Sequence, residues 1–408
     1  MTSDVGYMTS SLLPALVERL LTCVVPHRHP RPYETISQLP AQFPSGTGMP
    51  DRVTATLDPT ISSQLTSLDF DVFSIDVMAS GVRDVATPLL RHIFSSYQLL
   101  DLFRIPEAVF DNFVRLVRDN YHAENPFHNF RHAVNVVQTL HLFLSHPRFS
   151  LKSCFQPLEI FAMLIAGLCH DVQHPGFTNK FLCSSLHPLA LRYNDTAVLE
   201  NHHAATTIAM LDHPVGDGAG GTRSVAQSFK SSGASSYQQV RSMLMRCILA
   251  TDVASHKRHV ADVTTLTQRT SGPTSVLSDE DRLTLMAVLV DGADVSNEIR
   301  SFAFSRQWAP LVTEEFCREG DLERVQYGSQ HPVRFNRATI SMAEEQMSFI
   351  KGVCLPLYEG LAKAPFFVGQ QTATRKVTVA EGFQDCVGQL RSNYATWEGM
   401  HTASGSTT

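Results

Sequence analysis

No Lys/Arg block breaks this 408-residue sequence, and 33 Lys+Arg against 39 Asp+Glu leave a formal net charge of −6. Binding along a phosphate backbone draws on a positive excess, so nucleic acid is not an expected partner. No C-x-x-C pair occurs among the eight cysteines. Most of these thiols sit in apolar runs as small hydrophobes, which points to a reduced, cytoplasmic compartment. No membrane span is expected. The most apolar N-terminal stretch, Leu12 to Val25, contains Pro14, Glu18 and Arg19 and falls short of the ~20 apolar residues a span needs. It also lacks the basic start and small-residue cleavage site of a signal peptide. Alternating strand-like runs are scarce, no fixed-period repeat is visible, and no Ser or Cys nucleophile motif stands out.

Proline marks the organisation. Eight of the 21 prolines fall in the first 59 residues, and Pro26-His-Arg-His-Pro-Arg-Pro32 cannot hold a helix because proline removes donors and restricts its neighbours. Residues 1–65 therefore read as a Pro-rich, poorly ordered extension. From Phe70 onward apolar residues recur at helical spacing, as in Ile105–Val117, Ala133–Leu144, Leu158–Leu168 and Leu283–Val290. The expected fold is all-α, one helical domain over 66–400 with a disordered tail at 401–408. Two Gly/Ser-rich interruptions, 214–236 and 270–275, read as flexible surface loops.

Histidine is what the chain has in excess where it matters. Ten of 18 lie between His122 and His203. His128 and His132 are four apart, as are His170 and His174, so each pair can share one side of a turn or helix. Asp171 beside His170 can place a carboxylate and an imidazole on one cation and use its second oxygen to bridge to another. Glu200, His202, His203, Thr251 and Asp252 are candidates to hold the waters of a hard second ion. A further carboxylate is needed to close the first site, and spacing does not choose between Asp291 and Asp294. A lone His pair is more often a surface or core accident. Two pairs, a His-Asp dipeptide and a Glu-Asn-His-His run within so short a span favour a metal centre.

These residues resemble the catalytic domain of the class I cyclic nucleotide phosphodiesterases. The matching runs are Tyr121-His122, Asn125-Pro-Phe-His-Asn-Phe-Arg-His132, His170-Asp-Val-Gln-His-Pro-Gly176, Tyr193-Asn-Asp195, Leu199-Glu-Asn-His-His203, Ala250-Thr-Asp252, Ala293-Asp-Val-Ser-Asn297 and Gln346-Met-Ser-Phe-Ile350. They keep the family's order over roughly residues 65 to 365. The first of the histidine runs and Ser296-Asn-Glu-Ile-Arg300 are most similar to the type nine, cGMP-specific branch.

The resemblance implies a compact multi-helix domain with a deep dimetal pocket. It implies that His132, His170, Asp171 and Asp294 hold Zn²⁺, and that Asp171 bridges to Mg²⁺ or Mn²⁺, with His174, His202 and Thr251 around the waters. His128 is the implied general acid and Glu200 the carboxylate that supports it. Gln346, Phe349, Val312 and Asn297 are implied to bind the purine. On their own, Phe349 and Val312 read as core residues. The implied reaction opens the 3′ ester of a purine 3′,5′-cyclic nucleotide, cGMP before cAMP, to the 5′-monophosphate and so terminates a cyclic nucleotide signal. Two cations would neutralise the phosphate and acidify a bridging water as nucleophile, while a protonated His128 relieves the poor O3′ leaving group. Family members often pair as homodimers.

Gln173 stands where most members have Asp, which removes a negative charge near the metals. Phe316 stands where the type nine branch has Tyr near the base, which removes a hydroxyl, and Asn135 stands where many members, though not that branch, have Asp. The competing readings are a general His-Asp metallophosphohydrolase and a cyclic-nucleotide-binding sensor without turnover. The first leaves Gln346 and Phe349 unexplained. The second expects a missing metal ligand or acid, and none is missing.

Overall fold

A computed structural model of the chain describes residues 56–78, 84–230, 234–269, 277–328, 332–364 and 380–405. The helices in chain order are α1 (Pro59–Gln64), α2 (Ala86–Ser96), α3 (Leu99–Leu102), α4 (Glu107–Asp119), α5 (Phe130–Ser145), α6 (Pro157–Cys169), α7 (Asn179–Ser184), α8 (Pro188–Tyr193) and α9 (Val198–Asp212). After a two-residue hairpin, β1 (Val215–Gly216) and β2 (Thr222–Arg223), come α10 (Val225–Lys230), α11 (Ala234–Leu249), α12 (His256–Arg269), α13 (Asp279–Asp294), α14 (Phe302–Tyr327), α15 (Met342–Phe349), α16 (Leu355–Ala362) and α17 (Ala380–Gly405). The all-α expectation holds.

α6 explains the layering. Its sequence, Pro-Leu-Glu-Ile-Phe-Ala-Met-Leu-Ile-Ala-Gly-Leu-Cys, is apolar on every face after the first turn, and Ile160 through Cys169 are all buried. A helix of that kind must be surrounded, and α5, α11 and α13 pack against it. Its start is set by Pro157 at the first position and a capping box in which Gln156 and Glu159 exchange hydrogen bonds. Phe94, Phe103, Phe110, Phe161 and Phe229 pack on one flank in tilted or edge-to-face pairs, with centroids 4.7–5.9 Å apart. Each such pair adds about 0.5–1.5 kcal/mol to its burial.

Of the 214–236 stretch, expected to be a flexible insertion, residues 214–230 carry the β1–β2 hairpin and α10, and 231–233 lie outside the described residues. Composition there reports the turn, where Asp217 Oδ1 accepts from the Ala219 and Gly221 amides. It hides the anchors, namely Phe229 in the core and Asn112 Nδ2 donating to Gly216 O at 2.8 Å. The 270–275 loop lies outside the described residues, as do residues 1–55 of the extension. Within 56–65, Asp58 caps α1 by accepting from the Thr60 amide. Just beyond, the buried Arg300 guanidinium donates to Leu68 O and Phe70 O, each at 3.0 Å, and to Gln138 Oε1 at 2.6 Å. The domain's order thus begins before residue 65. At the other end α17 runs on to Gly405, past the expected tail boundary at 401. No helix among the described residues is long and apolar enough to cross a membrane.

Candidate metal centre and its histidine acid

Three helix ends meet at one point. His132 lies in the first turn of α5, which opens with Asn129 as N-cap, its Oδ1 accepting from the Arg131 amide at 2.9 Å. His170 ends α6 and Asp171 follows it, while Asp294 is the last residue of α13. Two helix C-termini pointing at the same spot favour positive charge there.

The donor atoms converge. His132 Nε2 lies 3.1 Å from His170 Nε2 and 2.9 Å from Asp294 Oδ1, and His170 Nε2 lies 3.2 Å from Asp294 Oδ1 and 3.0 Å from Asp171 Oδ2. Ligands held about 2.0–2.2 Å from a common Zn²⁺ sit about 2.9–3.6 Å apart at octahedral to tetrahedral angles. His170 Nδ1 donates to Gly167 O at 2.9 Å, which leaves its Nε2 lone pair facing the cluster. Asp171 Oδ2 is buried without a hydrogen bond. Two imidazole lone pairs and two carboxylates this close repel one another unless a cation sits between them. The residues fit a metal ion.

Asp171 faces a second group. Atoms of Asp171, His174 and His203 lie within 4.8 Å of one another. His203 donates through Nδ1 to Val172 O at 2.7 Å, so its Nε2, buried without a partner, turns a lone pair toward Asp171 Oδ1 at 3.8 Å. His174 Nδ1 accepts from the Gly176 amide, leaving Nε2 as its donor. Burial lowers the affinity of both rings for a proton, His203 to about 4. Neutral imidazoles suit a position beside a hydrated cation.

His128 lies next to this group, stacked on His174 with centroids 4.0 Å apart. Glu200 was the expected support for His128, and the structure puts a different carboxylate there. Glu315, 3% exposed on α14, pairs with His128 Nδ1 and accepts from the Phe127 and His128 amides at 3.0 and 3.1 Å. Burial by itself lowers the His128 pKa, but the Glu315 and Asp171 carboxylates outweigh it and raise the ring to about 9. Burial likewise raises Glu315, and the His128 charge turns it down to about 2. Glu200 sits in the first turn of α9, its two oxygens accepting from Asn179 Nδ2 at 2.9 and 3.2 Å. Burial pushes it up to about 7. Nothing in the sequence separates Glu315 from a solvated helix acid except its register. Trp308, Glu315 and Glu319 share the buried side of α14, which is odd company for a carboxylate.

The loops bearing the histidines are sewn together. Asn125 Nδ2 donates to His128 O and His174 O, and Gly176, at φ +81°, passes so close that a Cβ there would stand 2.8 Å from Asn125 Oδ1. Gln173 adopts a left-handed conformation at φ +61°, donates to Asn120 Oδ1 and accepts from His202 Nε2 at 3.0 Å. The amide therefore joins α9 to the end of α4, and burial leaves His202 neutral, its pKa down to about 3. Asn135 donates to Asn297 Oδ1 at 3.1 Å, so Asn297 is tied to α5. Thr251 Oγ1 donates to Ile248 O. Gln346 is 6% exposed on α15, and Val312 and Phe349 are half-buried on α14 and α15, which pack together.

Residues 127–372, more than half of the chain, match the family model described as 3'5'-cyclic nucleotide phosphodiesterase. A Drosophila melanogaster protein named 3',5'-cyclic-AMP phosphodiesterase, isoform F, is 34% identical over 298 residues, which are 71% of this chain and 43% of that protein. The same identity recurs in the Drosophila protein named 3',5'-cyclic-AMP phosphodiesterase, of which the match covers 27%. The chain thus spans less than half the length of these relatives. Among solved structures, LmjPDEB1 in complex with IBMX is 27% identical with a TM-score of 0.69, the match covering 86% of this chain and 99% of that one. The phosphodiesterase domain of the RhoPDE fusion protein from the choanoflagellate Salpingoeca rosetta is 26% identical with a TM-score of 0.70, over 85% and 98%. With the His/Asp cluster and the sequence runs agreeing, the chain belongs to the 3′,5′-cyclic nucleotide phosphodiesterase family.

Proposed function

We propose that this chain hydrolyses the 3′ phosphoester of a purine 3′,5′-cyclic nucleotide, using cations held by His132, His170, Asp171 and Asp294. The observation that carries the reading is the convergence of those four donors beside the paired His128 and Glu315, the His128 and His132 rings lying 6.0 Å apart. In this reading His132, His170, Asp171 and Asp294 would hold Zn²⁺, and Asp171, with His174 and His203 beside it, would serve Mg²⁺ or Mn²⁺. Bound there, the cations supply charge neutralisation for the phosphate and an acidified water.

The chain's own residues do the rest. His128 donates through Nε2 because Glu315 takes Nδ1–H, and the imidazolium protonates the departing O3′, a contribution of about 10²–10⁴ in rate. His174 and His203 orient waters on the Asp171 side. Glu200, buried and near Asp171, accepts a proton close to neutral pH. Gln346 reads the purine edge, its amide able to donate or accept, and Phe349 and Val312 close on the ring faces.

Type nine wording favours cGMP, while the relatives above are named for cyclic AMP. Glu298, part of that wording, is 1% exposed and accepts from Ser305 Oγ at 2.7 Å, so in this chain it serves packing. Measuring kcat/KM for both nucleotides with Zn²⁺ and Mg²⁺ or Mn²⁺ present decides the base. Hydrolysis of a chromogenic phosphomonoester with neither cyclic nucleotide turned over would replace this function with the general metallophosphohydrolase. Equal nucleotide binding by wild type and His128→Ala, with turnover by neither, would replace it with a sensor.

A further inference from the structure

A second cluster of titratable groups lies one helical turn from the metal site and has no part in the chemistry above. Asp291 Oδ2 faces His256 Nδ1 at 3.0 Å and His259 Nδ1 at 3.0 Å, and all three residues are buried. The other nitrogen of His256, Nε2, lies 2.8 Å from the carbonyl oxygen of Val353. A backbone carbonyl can only accept, so Nε2 must carry a proton, and a carboxylate at Nδ1 calls for a second. Both contacts are satisfied together by the imidazolium.

Val353 is no ordinary helix residue. It sits in the wide π turn Ile350–Cys354, where the Leu355 amide reaches back five residues to Ile350 O. Pro356, without an N–H, helps open the ladder there. Immediately before this turn stand Gln346 and Phe349. The Asp291 end of the bridge lies on α13, three residues before Asp294.

We propose that His256 is a positioning residue, a doubly hydrogen-bonded imidazolium that fastens the turn after the purine-reading helix to the metal-bearing helix and makes cyclic nucleotide KM depend on pH. Its kinetic half rests on the assignment of Gln346 and Phe349 above. The charged groups acting on His256 are Asp291, which it touches, and Asp294 farther along α13. His259 from α12 shares the same Asp291 oxygen, and the Cys354 thiol and Tyr358 hydroxyl of the turn and α16 are engaged with Val295 O and Gly292 O. Burial works against charge on His256, yet Asp291 and the Val353 carbonyl together raise its pKa. The charged bridge is therefore complete at low pH and is lost as pH rises through that raised value.

The test combines ¹⁵N–¹H correlation of the imidazoles in the full chain with steady-state kinetics. At pH 6–7 the His256 signals, identified by their loss in His256→Gln, should show protons on both nitrogens. A neutral tautomer there overturns the bridge. His256→Gln should raise KM about tenfold with kcat within about twofold, the signature of misplaced binding groups. A fall in kcat at unchanged KM overturns the positioning role. Wild-type KM, which needs no variant to fold, should climb as pH passes the His256 pKa seen by resonance, and a KM that is flat through it also overturns the role. Gln346→Ala, run alongside, separates the two layers. If its KM is unchanged the purine assignment falls with the kinetic half, while the imidazole signature still decides the bridge.

Discussion

Replacing Glu315 by Gln keeps the side chain's shape and removes the charge that faces His128. The carboxylate takes three N–H groups, from the Phe127 amide, the His128 amide and the His128 ring. A carboxamide keeps one acceptor oxygen for the two amides and turns its NH₂ toward Nδ1, so the ring must present a lone pair there. His128 then loses its largest source of proton affinity. With Glu315 in place the ring titrates near 9, and cations bound beside Asp171 draw that value downward. The sign is that of a raised histidine: the acid form is full below the pKa and is lost as pH rises through it. Without the carboxylate, burial is opposed only by Asp171 and Asp294, whose charge bound cations would offset, and a ring returned to the ordinary ~6.5 is about one-tenth protonated at pH 7.5. The expected kcat is lower by at least about tenfold, and by up to ~10²–10⁴ if misorientation adds to lost charge. The assay is kcat against pH for the cyclic nucleotide. The alkaline limb should move down toward about pH 6.5 in Glu315→Gln, with KM little changed. A wild-type kcat with the limb unmoved would refute the pairing of acid and carboxylate.

Other consequences are independent of that pair. Asp294→Asn leaves two imidazoles and one carboxylate at the first site, so metal per chain after gel filtration should fall well below wild type by mass spectrometry; full retention contradicts the ligand set. Gly320→Ala places a Cβ 2.0 Å from Phe335 O, which neither backbone can yield. A loss of at least about 1–3 kcal/mol is expected in thermal unfolding, and an unchanged Tm would show that the 335 segment swings free. Glu298 is raised to about 7 from 4.5 by burial, against the Ser305 donor. Its stabilising protonated form is present at low pH and lost as pH rises through about 7. Glu298→Gln should therefore gain up to about 3 kcal/mol above pH 8, at 1.4 kcal/mol per unit, with little gain at pH 5. Equal gains at both pH values would contradict a buried ionised carboxylate.

The helices were legible because their apolar spacing is local. α6 shows it best, since ten consecutive buried residues leave a chain no choice but to be surrounded. The candidate site residues were legible because His128, His132, His170, Asp171 and His174 stand in two short runs whose i,i+4 spacing and His-Asp adjacency bear on chemistry directly. The hairpin and α10 within 214–230 were not legible, because glycine and serine describe the turn whereas one phenylalanine and one asparagine anchor the segment.

Read alone, the sequence determined which side chains could meet a cation and that helices would carry them. Tertiary structure chose the partners. Asp294 rather than Asp291 closes the His/Asp cluster because it ends α13 facing His132 and His170, and Asp291, one turn back, faces His256 and His259 instead. Glu315 rather than Glu200 meets His128 across 187 residues of chain. Such pairings depend on how α13 and α14 pack against α5 and α6. Spacing along the chain reports one face of one helix, and the other half of each contact arrives on a different one.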